Sequence, residues 1–210
     1  MAPAIEKISI WALPVLAAVI LHEIAHGVVA NWLGDPTAKE RGRLTFNPLS
    51  HIDPFGTIAL PLLLLFAQSH FLFGYAKPVP VNYRNLRHPK RDMILVAAAG
   101  PVTNLFLASL SAVAFRYLLE PSVGLNQQSL LTRNALNCVL INVVLAVFNL
   151  MPILPLDGGR VLTGLLPLRQ AIAFSRLEPF GMVIVLMLMA TNVLGQVVGP
   201  VVDVFLRVLL

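Results

Sequence analysis

An all-α integral membrane protein is the fold class this sequence predicts, with five or six transmembrane segments and a re-entrant or extended Pro-rich loop. The first observation is composition: 57% of the residues are hydrophobic, only 12% are charged, and mean hydropathy is +0.80. A soluble domain carries about 25% charge. The second is a series of apolar runs near the ~20 residues that a membrane span requires. The third is the lack of any internal repeat, low-complexity tract or polar insertion large enough to fold alone. One domain over residues 1–210 is therefore expected, with a core over about 8–168 and C-terminal membrane segments over about 178–210.

Ile8 to Leu33 is the first predicted span, with a kink expected at Pro14. Its apolar run is too long for a cleavable leader, so it reads as a retained anchor. Phe55 to Phe73 is a looser second, interrupted by Pro61, Gln68, Ser69 and His70. Met93 to Leu119 is the third, and Leu136 to Met151, ending at a proline cluster, the fourth. Gly158 to Leu166 reads as a short apolar continuation, half of a discontinuous helix. Phe180 to Leu210 holds one long or two short segments, split near Gly195 and Gly199-Pro200.

Charge placement sets a conflict. Lys39, Arg41 and Arg43 follow the first span, and Lys77, Arg84, Arg87, Lys90 and Arg91 follow the second, so two loops expected on opposite sides are both basic. Either Phe55 to Phe73 does not cross fully, or one basic segment re-enters the protein. The later, larger cluster favours its own side as cytoplasmic. The net charge of +5 reads as anchoring to anionic lipid headgroups. Nucleic acid is excluded as a partner, because no platform of stacking aromatics is interleaved with the basic residues. Cys138 is the single cysteine, which excludes an internal disulfide and fits an inert buried thiol.

Chemistry enters with His22-Glu23-Ile24-Ala25-His26, set inside the first apolar run. HExxH on a helix places two imidazoles one turn apart, where both can hold zinc while the Glu acts as general base. Three ionisable groups in one span each cost about 3 kcal/mol, a penalty that a bound metal would offset. Zinc hydrolases use three protein ligands and water, so a third ligand is needed from a distant segment. Asp157 and Asp203 are the late acids next to apolar segments. Asp203 lies one turn before Arg207, the spacing of an ordinary helical ion pair. Asp157 follows two prolines and precedes Gly158-Gly159, so irregular backbone displays its carboxylate at membrane depth. It is a candidate ligand, or an N-cap for a helix that starts at Gly158. His51 and Asp53 read as satisfying turn backbone, and His70 and His88 as interfacial residues.

These motifs carry a resemblance. HEIAHG at His22 to Gly27, NLMPILPLDGGR at Asn149 to Arg160, and the intermediate Gly100-Pro101-Val102-Thr103-Asn104 together resemble the site-2 proteases, peptidase family M50, in their short prokaryotic form without PDZ or CBS domains. GRLTFNPLSHIDPFG at Gly42 to Gly56 and FGYAKPVPVN at Phe73 to Asn82 resemble that form as well. Leu154 stands where many relatives have Pro. The resemblance implies one zinc ion per chain held by His22, His26 and Asp157, with Glu23 as general base. It also implies Asn104 and Asn149 as polar groups near the site, orienting substrate or stabilising an oxyanion.

The function so implied is an intramembrane zinc metalloprotease in a prokaryotic inner membrane, cutting peptide bonds in or near the transmembrane helices of substrate proteins. A metal-binding transporter and a catalytically inactive scaffold are the competing classes. Glu23 separates them, since a transporter needs ligands but no unliganded carboxylate beside them. Asn137, Asn142 and Asn149, with Thr103 and Asn104, are either lining groups of a water-filled cavity or interhelical hydrogen-bonding groups. Lys77 to Asn82, extended by its prolines, is either a substrate-holding edge or a plain connector.

Overall fold

The computed structural model describes residues 2–69, 73–127 and 129–210, with side chains from Ile10 onward. The chain is helical, and no strand occurs among the described residues. Helix α1 spans Ala2–Trp32 and α2 spans Thr37–Glu40; a π-helical turn, Pro54–Ala59, then runs into α3, Leu60–Phe66. Helices α4, Pro89–Leu118, and α5, Leu130–Asn149, are long; α6, Asp157–Leu165, and α7, Leu168–Ser175, are short. Two more, α8 over Glu178–Ala190 and α9 over Val193–Leu209, complete the chain. Asn192, at a positive φ of 57°, makes the break between them, a few residues before the predicted split.

Among the described residues, three helices are long and apolar enough to cross a membrane: Ile10–Trp32, Pro89–Leu118 and Leu130–Asn149. A fourth is reached if α7 and α8, bent by 64°, count as one span. The expected five or six are not reached by these criteria. Pro54–Phe66 is apolar but shorter than 18 residues, too short for a hydrocarbon core of about 30 Å. The charge conflict dissolves with it. Arg43 Nη2 donates to Lys77 O at 2.9 Å, Arg87 N to Leu33 O at 3.1 Å, and Asn82 N to Asp35 Oδ2 at 2.6 Å. Both basic loops therefore sit at one end of the bundle.

Small and β-branched residues let the long helices approach. Ala108 and Ala112 of α4 pack with Val139, Val143 and Val147 of α5, and α9 covers this layer with Val198, Val202 and Phe205. Such close packing replaces hydrophobic drive, which is absent between helices already in lipid. Leu13, Phe106, Val113 and Val204 point outward at more than 60% exposure. That apolar exterior suits hydrocarbon and not water. Helix α1 runs as one helix through Pro14, which is fully buried.

Candidate metal centre

His22 and His26 lie one turn apart on α1, and both rings are buried. Their Nδ1 atoms face α4: that of His22 meets Asn104 Oδ1 at 2.5 Å, and that of His26 meets Val96 O at 2.7 Å. A backbone carbonyl only accepts, so His26 Nδ1 carries a proton. For His22 the same conclusion follows through a relay. Asn142 Nδ2 donates to Cys138 O at 2.8 Å, which leaves its Oδ1 to accept from Asn104 Nδ2 at 2.7 Å. Asn104 Nδ2 also faces Ala18 O at 3.3 Å, so its own oxygen is the atom presented to His22. Two backbone carbonyls thus fix both amides and, through them, the imidazole tautomer.

With both Nδ1 positions protonated, each ring in its neutral form, the form a metal ligand needs, presents Nε2 as an acceptor. They lie 3.1 Å apart and face Asp157 Oδ2 at 3.1 Å from His22 and 3.3 Å from His26. Three acceptors converge. One proton can bridge only one of the three pairs, whereas ligands about 2.0 Å from a tetrahedral zinc lie about 3.3 Å from one another. The triangle has the size of a zinc site. Asp157 Oδ2 is also a buried atom without a hydrogen-bond partner. These three residues are the metal-competent cluster found among the described residues.

Local sequence explains how the groups meet. Gly100 on α4 lies against the rings: a Cβ there would stand 2.5 Å from His22 Cε1 and from His26 Nε2. Gly158 and Gly159 allow the chain to fold back on itself, since a Cβ on Gly158 would stand 2.1 Å from Leu150 O. Asp157 is the first residue of α6, and Leu156 takes the N-cap position. The carboxylate turns to the histidines rather than capping the helix.

Glu23 lies beside the cluster with a different partner. Its Oε2 accepts the backbone N–H of Val79 at 2.8 Å, from the stretch 73–82, which forms no helix or sheet. Glu23, both histidines and Asp157 open onto a cavity of about 1000 Å³, closed on other sides by Phe73, Tyr75 and Phe148. Glu23 is thus displayed to the cavity without joining the ligand triangle.

The two asparagines divide. Asn149 lines the cavity, with its Nδ2 on Leu145 O at 3.0 Å. Asn104 is fully buried behind His22 and outside the cavity lining, so its place is to orient a ring rather than to meet substrate. Asn137 and Asn142 serve between helices: Asn137 Nδ2 donates to Ile10 O on α1 at 3.0 Å. His51 Nε2 meets Thr45 O at 2.9 Å, and Asp53 Oδ1 accepts from Phe55 N and Gly56 N, so both satisfy turn backbone. His88 precedes α4 and is exposed, and His70 falls outside the described residues.

Sequence reading missed the Val79 N–H, the Val96 carbonyl and the Arg160 cluster. Arg160 donates to Tyr83 Oη at 3.2 Å and pairs with Glu178 at 3.0 Å. Backbone donors carry no residue-type signal, whereas Arg160, inside the second motif and one turn from Asp157, was there to be noticed.

An HExxH helix and a distant Asp gathered on a cavity within an apolar helical bundle define a membrane zinc metalloprotease. Comparison with known proteins agrees. The profile of peptidase family M50 matches residues 123–191, the part that holds Asp157. The chain is 38% identical over 191 residues to YwhC of Bacillus subtilis, which carries the name of a zinc metalloprotease, covering 87% of this chain and 81% of that protein. It is 29% identical to Rip2 of Mycolicibacterium smegmatis over 86% of this chain and 66% of the relative, and 31% identical to Rip2 of Mycobacterium tuberculosis over 82% and 63%. Both are likewise named as zinc metalloproteases. No solved structure matches. The chain belongs to peptidase family M50.

Proposed function

We propose that the protein is an intramembrane protease that hydrolyses peptide bonds in or near the transmembrane helices of membrane protein substrates, using one zinc ion per chain. The observation that carries this reading is the convergence of His22 Nε2, His26 Nε2 and Asp157 Oδ2, three potential ligand atoms, on one cavity within the apolar bundle. His22 Nε2, His26 Nε2 and Asp157 Oδ2 would hold the ion. When bound, zinc supplies Lewis acidity, lowering the pKa of water toward neutrality and polarising a carbonyl.

The remaining steps belong to the chain. Glu23 accepts a proton from the attacking water, the water oxygen bonds to the scissile carbonyl carbon, and the C–N bond breaks as Glu23 returns the proton to the leaving nitrogen. Val79 N–H holds one carboxylate oxygen of Glu23 and leaves the other for that proton. Asn149 faces the same space, where it can bond an extended substrate. The stretch Lys77 to Asn82 offers that substrate an extended neighbour. A helical substrate must unwind first, because its peptide carbonyls are bonded within the helix.

The basic end of the bundle is read as cytoplasmic in a prokaryotic inner membrane. Helix α9, 17 residues long, and the α7–α8 pair would supply the crossings beyond the three long helices. The test is cleavage of single-span proteins co-reconstituted in liposomes. Wild type is expected to cut within or next to the span, and Glu23→Gln to leave the substrate whole. Equal cleavage by both would overturn the reading.

A further inference from the structure

We propose that the groove between the start of α4 and α7 seats one anionic phospholipid, with an acyl chain on its apolar floor and the headgroup phosphate between Lys90 and Arg176. The groove has a volume of about 490 Å³, and Met93, Leu168, Ala171 and Ile172 form its apolar part. Lys90 and Arg176 border it; both are cationic and exposed, and because the lining itself is almost wholly apolar their charged ends lie at its rim. Neighbouring acids are already committed. Asp92 accepts the backbone N–H of His88 at 2.7 Å, and Glu178 pairs with Arg160 at 3.0 Å.

Depth selects a lipid over a soluble anion. Lys90 lies in the first turn of the α4 span and Met93 one turn further in, so the charge falls at headgroup level with the apolar floor beneath it. Helix α7 leaves Leu168 70% and Ile172 51% exposed beside the groove. Basic residues at the rim of an apolar groove, at headgroup level, attract anionic headgroups while the groove takes the chain. The seat also touches the protease. Tyr83 lines both this groove and the catalytic cavity, and its hydroxyl accepts from Arg160, one turn after Asp157 on α6.

The test is native mass spectrometry of the full chain in detergent, titrated with phosphatidylglycerol, with phosphatidylcholine of the same acyl chains, or with inorganic phosphate. One phosphatidylglycerol should be retained, and Lys90→Gln/Arg176→Gln should weaken it about 25-fold, from roughly fivefold per basic residue near an anionic headgroup. The charge-matched pair Lys39→Gln/Arg41→Gln, away from the groove, should bind as wild type does. Ala171→Phe should fill the floor and weaken binding with no change of charge, while melting of each lipid-free variant reports its fold. Equal retention of the two lipids, equal loss in the control pair, or full binding by folded groove variants would overturn the seat. Phosphate competing away the lipid at equal concentration would overturn it too, leaving a free-anion site.

Discussion

Val79 donates its backbone N–H to Glu23 Oε2 at 2.8 Å across 56 residues of sequence, fastening the extended stretch to the middle of the HExxH helix. Glu23→Gln should preserve that fastening, because the amide oxygen of Gln accepts the same bond. It cannot take a proton from water. Turnover should fall by a factor on the order of 10² to 10⁴, the usual worth of a general base, with the zinc-to-protein ratio unchanged. Cleavage rate and metal analysis on one preparation check both halves, and a variant that loses its metal would move Glu23 into the ligand set.

Asn104→Ala removes the acceptor that holds His22 Nδ1–H. The ring is then free to turn or change tautomer, and its Nε2 lone pair is no longer held toward Asp157. Loss of such an orienting partner costs about 10- to 100-fold in metal affinity. Competition against a zinc chelator measures this directly. Asn149→Ala should leave zinc affinity unchanged and alter KM or kcat, because Asn149 lines the cavity without contacting a ligand.

Gly100→Ala tests the cradle. In an unconstrained helix, Gly to Ala stabilises by about 1 kcal/mol. Here the added methyl group would stand 2.5 Å from both imidazoles, so the helix gain is opposed by displacement of the ligands. Zinc content should fall sharply. A variant with full zinc content and a raised melting temperature would mean that the rings have room.

Much of the site was readable because metal chemistry constrains residue type and spacing together: the i,i+4 histidines need only a helix, and Asp157 stood out between prolines and glycines. The backbone partners were hidden. Val79 N–H and Val96 O are contributed by residues whose side chains say nothing about them, and their position depends on how α1, α4 and the extended stretch dock. Hydropathy located the long helices well, since α1, α4 and α5 cover all but the last one or two residues of their predicted runs. Phe55 to Phe73, the looser run expected either to cross or to stop short, shows no helix of spanning length among its described residues, and 70–72 lie outside them. There Asp53 caps a π-helical turn, and α3 stops at Phe66.

Outside the spans, Asp35 gives a pH test of stability. Burial pushes its pKa up, but donation from Thr37, from Asn82 N at 2.6 Å and from Asn85 at 3.0 Å outweighs this and holds the carboxyl below its ordinary 3.8. A depressed folded value stabilises above the unfolded value, and the gain is lost as pH falls from 3.8 through the folded value. Asp35→Asn should therefore cost about 2 to 3 kcal/mol near neutral pH, the scale of a bond to a charged group, and flatten the acid limb of the melting curve. Thermal melts in detergent across acid pH decide it. An unchanged acid limb would assign the pH response to other carboxylates.

The last prediction concerns the substrate. If unwinding of a substrate helix precedes hydrolysis in the cavity, rate should follow local helix stability around the scissile bond. Replacing a good helix former by Gly lowers the unwinding cost by roughly 1 kcal/mol, about fivefold in the population of the open form. A matched series of single-span substrates, with Gly, Pro or Asn near the cut and a Leu and Ala run as the stiff extreme, should therefore be cleaved faster the less stable the helix, with the Leu and Ala run slowest. Each member must be shown to insert, since a span that leaves the bilayer would be cut for another reason. Zinc content and Glu23 dependence, measured alongside, separate loss of the enzyme from loss of the effect. Rates indifferent to helix stability would place the reaction on segments already extended in water, at the membrane edge rather than within it.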